Sequence, residues 1–260
     1  MYIQTDHFNS PIDYFYDLKL LKLGSGREGT CFKMNNRTFK IYNDSYIKLY
    51  HNREEELLKF KDINIDNIYF IKELIYFNKE LVGTICDYAP GISCAHAKLH
   101  LSKIDKLTCG LTNLKKSILE LSELGIHIDD PYLGNILYDN GTFNLIDMFS
   151  SYYSQDNITD IYQSNMQKIM SALYRNITNK YQSVDHFIYA FLNDINSPYK
   201  EYLVDPDLLL NPYETITGIK TVIEEYIGHE ITTFSKSYKD LLKIKKKKYW
   251  CRFLLYDIIK

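Results

Sequence analysis

The sequence predicts an α+β protein in two parts: a strand-rich N-terminal region with one main helix (1–89) and a mostly helical region after it (90–260). Three observations carry that prediction. Up to Tyr88 the apolar residues come in short runs separated by turn residues, the mark of strands and hairpins. Beyond Pro90-Gly91 they recur at helical spacing over much longer stretches. The chain, at 260 residues, is long enough for one large domain or for two parts with separate cores.

In chain order, residues 17–23 read as a strand running into Gly24-Ser25-Gly26-Arg27-Glu28-Gly29. Residues 30–34 and 38–42 read as a hairpin about Asn35-Asn36-Arg37, because Asn tolerates left-handed turn geometry. Residues 51–61 read as the main helix of the first region, with acids early in it. A second hairpin joins 71–77 to 81–88 about Asn78-Lys79-Glu80. Leu107, Leu111, Leu114, Ile118, Leu121 and Leu124 share one face of a helix over 103–124, and Gly125 can stop it. An Asn140-Gly141 turn precedes Leu145-Ile146-Asp147, and further helices are expected at 160–174, 184–193, 216–227 and 238–255. The lysine run 243–248 reads as a solvated helix face, with a patch for an acidic partner or a membrane surface as the alternative.

Composition narrows the class. With 31 basic and 33 acidic side chains the net charge is −2, which argues against a dedicated nucleic-acid binder. The 24 Tyr accompany an excess of Ile, Asn and Lys and read as coding bias, without a Tyr-specific function. Five cysteines, an odd number with no C-x-x-C pair, indicate neither a zinc site nor a disulfide framework. A reducing, cytoplasmic setting is the simpler expectation. The first ten residues carry no basic-then-apolar leader, and no apolar run reaches membrane-span length, so no transmembrane segment is expected. Export by a route without a conventional signal stays open.

The residues with the most chemistry are Asp130, Asn135 and Asp147. An Asp can accept a proton from a nucleophilic hydroxyl, while an Asn and a second Asp, hard oxygen donors, can hold Mg²⁺ on a nucleoside triphosphate. That spacing alone is of low specificity; its weight comes from what precedes it. Gly24-x-Gly26-x-x-Gly29 lies between two strands and lets backbone approach phosphates closely, although an ordinary glycine hairpin reads the same way. Lys40, central in its strand, is placed to reach α- and β-phosphates, or to face solvent. A carboxylate should orient it. Among Glu54, Glu55 and Glu56, Glu54 is the expected partner because Leu57 and Leu58 would turn its face inward, with Glu55 second.

In this order of parts the chain resembles the protein-kinase-like superfamily over about residues 16–171. The resemblance implies a two-lobed fold, ATP and Mg²⁺ as cofactors, Asp130 as catalytic base, Lys40 and Glu54 as the cation and its orienting acid, and Asn135 with Asp147 as metal ligands. It also implies that Gly24, Gly26 and Gly29 cover the phosphates. Cys31 and Ala89 would line the adenine pocket, the backbone around Asp87 and Ala89 would bond the base, and Cys86 would take the gatekeeper position. Small buried core residues would fit Cys31 and Cys86 equally well.

The departures from that pattern are informative. Ile128-Asp129-Asp130 lacks the Arg that pairs with a phosphorylated activation loop, so that form of control is not expected. Tyr132 stands where a Lys would face the transferred phosphoryl; Arg27 is a candidate substitute. Asp147-Met148-Phe149 lacks the usual Gly, and Asp160 opens the next helix about a dozen residues on, leaving almost no activation segment. Asp160 would either brace the catalytic loop or serve as a helix N-terminal acid. The layout resembles minimal bacterial effector-type kinases, which lack the same segment and could be delivered into a host cell. More distantly it resembles aminoglycoside- and choline-type phosphotransferases. The implied activity is γ-phosphoryl transfer to a hydroxyl, first of a protein Ser or Thr, with an unidentified substrate or activating partner. A small-molecule phosphotransferase and a non-catalytic nucleotide-binding scaffold are the alternatives, and Glu224-Glu225 and Asp205-Pro206-Asp207 are the acids a cationic small molecule could use.

Overall fold

A computed structural model describes residues 1–8, 10–129 and 131–179, with 210–211, 213, 216–217, 220–221, 224 and 228–234. Asp130, the helices expected at 184–193 and 238–255, most of that at 216–227, Asp205, Asp207, Glu225 and the 243–248 lysine run lie outside the described residues. The fold is α+β, with a strand-rich sheet and several helices. It divides into two compact units. The first is Met1–Pro90 together with a short return near Ile128 and the segment Asn144–Tyr152; the second starts at Gly91. The returns bring Asp147 into the first unit.

The first unit contains β1 (Tyr2–Ile3), α1 (Pro11–Asp17), β2 (Leu21–Ser25), β3 (Gly29–Met34), β4 (Arg37–Tyr42), α2 (Asp44–Tyr50), α3 (Glu54–Leu57), β5 (Ile71–Phe77) and β6 (Glu80–Asp87). Its six strands run in the order β1-β5-β6-β4-β3-β2, antiparallel except for β1 on β5. Both hairpins fall where expected. Asn78 and Lys79 are each left-handed (φ 49° and 75°), as a tight I′-type turn needs, and Asn35 (φ 54°) opens the other.

Register decides what each face of this sheet carries, since opposed residues point the same way and successive ones alternate. Phe32, Phe39 and Ile85 are aligned across β3, β4 and β6 and are all but fully buried. The fully buried Phe15 of α1 meets Phe32 and Phe39 at ring separations of 5.8 Å each. Cys31, Lys40 and Thr84 are aligned on the opposite face.

Two expectations need correction here. Residues 17–23 are not one strand: α1 runs to Asp17, Lys19 is left-handed (φ 53°), and β2 begins only at Leu21. Ser10 announces α1 as an N-cap, its Oγ accepting the Asp13 N–H at 3.2 Å ahead of Pro11. Residues 51–61 are not one helix either. Asn52 is left-handed (φ 62°) and separates α2 from the single turn α3. Glu54 therefore starts a one-turn helix and does not ride on a long one.

In the second unit, β7 (Ile92–Ser93) pairs with β8 (Ile136–Asp139), and Asn140 and Gly141, at φ 45° and 107°, turn the chain into β9 (Thr142–Leu145), whose last two residues belong to the first unit. The long helix α4 (Ile104–Glu123) buries Leu107, Leu111, Leu114, Ile118 and Leu121 completely. Leu124, expected on that face, is exposed because the helix has already ended and Gly125 (φ 74°) turns the chain. α4 packs against α5 (Ile158–Asn179), whose Asn165 amide donates to Ser122 Oγ and the Ile126 carbonyl. No helix among the described residues is long and apolar enough to cross a membrane.

Candidate active site

Lys40 is the centre of the site. Its Nζ donates to Glu28 Oε2 at 2.6 Å and to Asp147 Oδ2 at 2.7 Å, so one ammonium is held between two carboxylates. Burial alone would lower its basicity; Asp147 and Glu28 outweigh burial and hold the ammonium well above its ordinary range. A strand residue thus keeps a fixed positive charge on the sheet face that also carries Cys31 and Thr84.

Asp147 is positioned from both sides. Upstream, Leu145 is tied to a loop of its own unit: its N–H donates to the Asn67 carbonyl at 2.8 Å, and its carbonyl accepts the Tyr69 N–H at 2.9 Å. Downstream, Met148 is buried, while Phe149 meets Tyr50 edge-on at 5.0 Å with the Arg53 and Lys59 cations over its ring. Between these anchors Asp147 is left-handed (φ 59°, ψ 45°), a conformation that a non-Gly residue keeps only where its surroundings enforce it. Phe149 locks the segment in the first unit by its ring.

The glycine loop splits by role. A Cβ on Gly29 would lie 2.1 Å from the Ile41 carbonyl oxygen, so close strand pairing alone requires that glycine. At Gly24 and Gly26 an added Cβ would meet nothing within 4 Å. No neighbour among the described residues demands glycine there.

Burial, then the neighbouring acids, raise the Cys31 thiol despite Lys40. Cys86, two residues beyond Thr84 on the same face, is pushed up to about 12, first by burial and then by Cys31, Asp147 and Asp87. Both are neutral thiols beside the charged cluster. At the end of β6, the Tyr88 N–H donates to the Asn36 carbonyl at 2.8 Å, and the Lys33 ammonium sits 3.5 Å from the Tyr88 ring centre. Asp87 is exposed and Ala89 buried; no partner among the described residues takes the Ala89 N–H. The Pro90 carbonyl accepts from the buried Asn144 amide at 2.8 Å.

No family model matches the chain, and no curated protein matches it. The site is therefore read from its own geometry.

That geometry brings Lys40, Asp147, Cys31 and the glycine loop together, and it places Glu54 elsewhere. The described ion pairs of Lys40 are with Glu28 and Asp147, not Glu54. Glu54 lies by Tyr76 of β5, whose phenol is raised first by burial and then by Glu54 and Tyr2. Glu56 forms a fork with Arg53 through two 2.6 Å bonds, and Glu55 is exposed. Asn135 belongs to the second unit, in the single turn Leu133–Asn135, with its N–H on the Tyr132 carbonyl at 2.8 Å. Tyr132 is 62% exposed. Asp160 is the helix N-terminal acid: its N–H donates to Asn157 Oδ1 at 2.9 Å, and its carboxylate accepts the Asn157 amide. Glu28 and Tyr50 are the site residues that the sequence reading passed over. Glu28 was visible only as a loop acid between two glycines, which no periodicity distinguishes.

Proposed function

We propose that this chain is an ATP- and Mg²⁺-dependent kinase with a two-lobed, protein-kinase-like architecture, transferring the γ-phosphoryl group to a hydroxyl of a protein Ser or Thr. The observation that carries the reading is Lys40 held on its sheet face between an acid of the glycine loop and the left-handed Asp147. Phosphoryl transfer asks little covalent chemistry of a protein; it needs positioning and charge neutralisation. Lys40 would sit at the α- and β-phosphates, with Gly24 and Gly26 admitting them and the Ala89 N–H meeting the base. Asp147 is a hard oxygen donor of the kind Mg²⁺ takes alongside phosphates, and would be its ligand in the first unit. When bound, the ion offsets the charge that develops on the β- and γ-phosphate oxygens. The acceptor oxygen bonds to the γ-phosphorus, the bond from that phosphorus to the β-bridging oxygen breaks with its electrons leaving on ADP, and the hydroxyl proton passes to the Asp130 carboxylate.

Three tests bear on this. Mg·ATP should raise the melting temperature over Mg²⁺ alone, because only a bound ligand raises apparent stability. Lys40→Ala should remove that shift and cut kcat/KM by about 100-fold or more, the loss of one charged partner at the phosphates. Asp130→Ala should abolish transfer of labelled phosphate while the shift persists; turnover in that variant would overturn the assignment. For a small-molecule acceptor, Glu224 is poorly suited, being engaged by Lys220 at 3.3 Å and the Ile231 N–H at 2.8 Å. A scaffold role would be indicated by a Mg·ATP shift with no transfer to any protein. Cys31, Cys86, Cys94 and Cys109 are free thiols, which supports a reducing, cytoplasmic setting for this activity.

A further inference from the structure

Asn43 sits between β4 and α2, three residues after Lys40, and its residue type suits a helix N-cap. It occupies the N-cap position of α2 with extended backbone, yet its side chain makes no capping bond. The amide instead donates through Nδ2 to the Arg27 carbonyl at 2.9 Å, while the Asn43 backbone N–H donates to the Glu28 carbonyl at 2.8 Å. Both bonds grip consecutive residues of the glycine loop. Across that loop the Gly26 N–H donates to the Gly29 carbonyl at 2.9 Å, and the Ser25 and Thr30 hydroxyls lie 3.2 Å apart. Glu28, held by its own carbonyl, is left with its carboxylate on Lys40.

We infer that Asn43 is a positioning residue that anchors Arg27 and Glu28, so that the glycine loop itself carries the acid that orients Lys40. This deepens the kinase reading and, for its effect on nucleotide, rests on it. The loop and the cation then form one piece, set by a residue of the same strand end, and no distant helix has to move to complete the ion pair. A helix cap has been given up for the purpose: the amide that could serve α2 serves the loop. The substitution Asn43→Asp separates the two roles, since a carboxylate can cap α2 but cannot donate to the Arg27 carbonyl.

The test has two arms. Hydrogen exchange on the full chain reads the loop directly. Asn43→Asp and Glu28→Gln should each speed exchange of the amides in residues 25–29 by about tenfold, with 44–50 unchanged in Asn43→Asp; the exposed-pair control Glu73→Gln should change neither. Unaltered loop exchange in both variants, or equal loosening of 44–50 in Asn43→Asp, would overturn the inference. Calorimetric titration with Mg·ATP reads the consequence. Asn43→Asp should weaken binding about three- to tenfold in the native background and have little further effect in Glu28→Gln, because coupled residues are not additive. Full additivity would overturn the coupling. If the native protein binds no Mg·ATP, the kinase reading fails, while the exchange arm still decides whether Asn43 anchors the loop.

Discussion

The two faces of the six-stranded sheet are built from the same strands and do opposite things. On one, Phe32, Phe39 and Ile85 close against Phe15 of α1 in a dry aromatic core. On the other, the very next residues, Cys31, Lys40 and Thr84, lie under Glu28 and Asp147. The first face satisfies itself with dispersion and excluded water. The second holds a charge out of bulk water and compensates it with two acids, one from a loop and one from a segment 107 residues away in sequence. Period-two alternation lets one strand stabilise the fold and serve the site without compromise between them.

The comparison can be broken from either side. The largest effect should come from the apolar face: Phe39→Ala removes a buried ring and should cost about 3–5 kcal/mol, read by urea denaturation. Under conditions where that variant remains folded, Mg·ATP affinity should stay within about threefold of the native value; a larger loss would mean that the faces are not independent. Next comes the choice of acid. Glu28→Gln removes a charge-assisted bond to Lys40 and should weaken Mg·ATP binding about tenfold, whereas Glu54→Gln should change it by less than about twofold. The reverse ranking would restore Glu54 as the orienting acid.

A pH-dependent effect belongs to the neutral thiol beside the cluster. Burial pushes Cys86 up to about 12 from an ordinary 9.0, so the folded state disfavours its thiolate. A group raised on folding contributes stability that is fully present below its unfolded value and is lost as pH rises. Native stability should therefore hold to about pH 9 and then fall toward pH 12, by at most about 1.4 kcal/mol per pH unit from this group. In Cys86→Ala that part of the fall should disappear. Equal slopes in denaturation series at pH 8 to 10.5 would contradict it.

Particular elements show what could be read early. The strands either side of Asn35 and Asn78, the Asn140-Gly141 turn and the buried leucine stripe of α4 all follow from local rules of turn geometry and periodicity. The helix over 51–61 did not: Asn52 is left-handed, and only Glu54–Leu57 takes helical form. The expectation of Glu54 beside Lys40 rests on that helix, and the described ion pairs of Lys40 are with Glu28 and Asp147.

By itself, then, the amino-acid order determined that Lys40 lies mid-strand, that a glycine loop precedes it and that Asp147 follows a tight turn. Only the tertiary structure decided which acids meet that lysine. Periodicity reports the face a side chain takes within its own element and nothing about what lies opposite. Glu28 arrives through bonds from Asn43 to its own carbonyl and to that of Arg27, and Asp147 through the pairing of Leu145 with Asn67 and Tyr69 and the seating of Phe149 against Tyr50. Those are contacts between segments distant in the chain, and they form only when the whole unit folds.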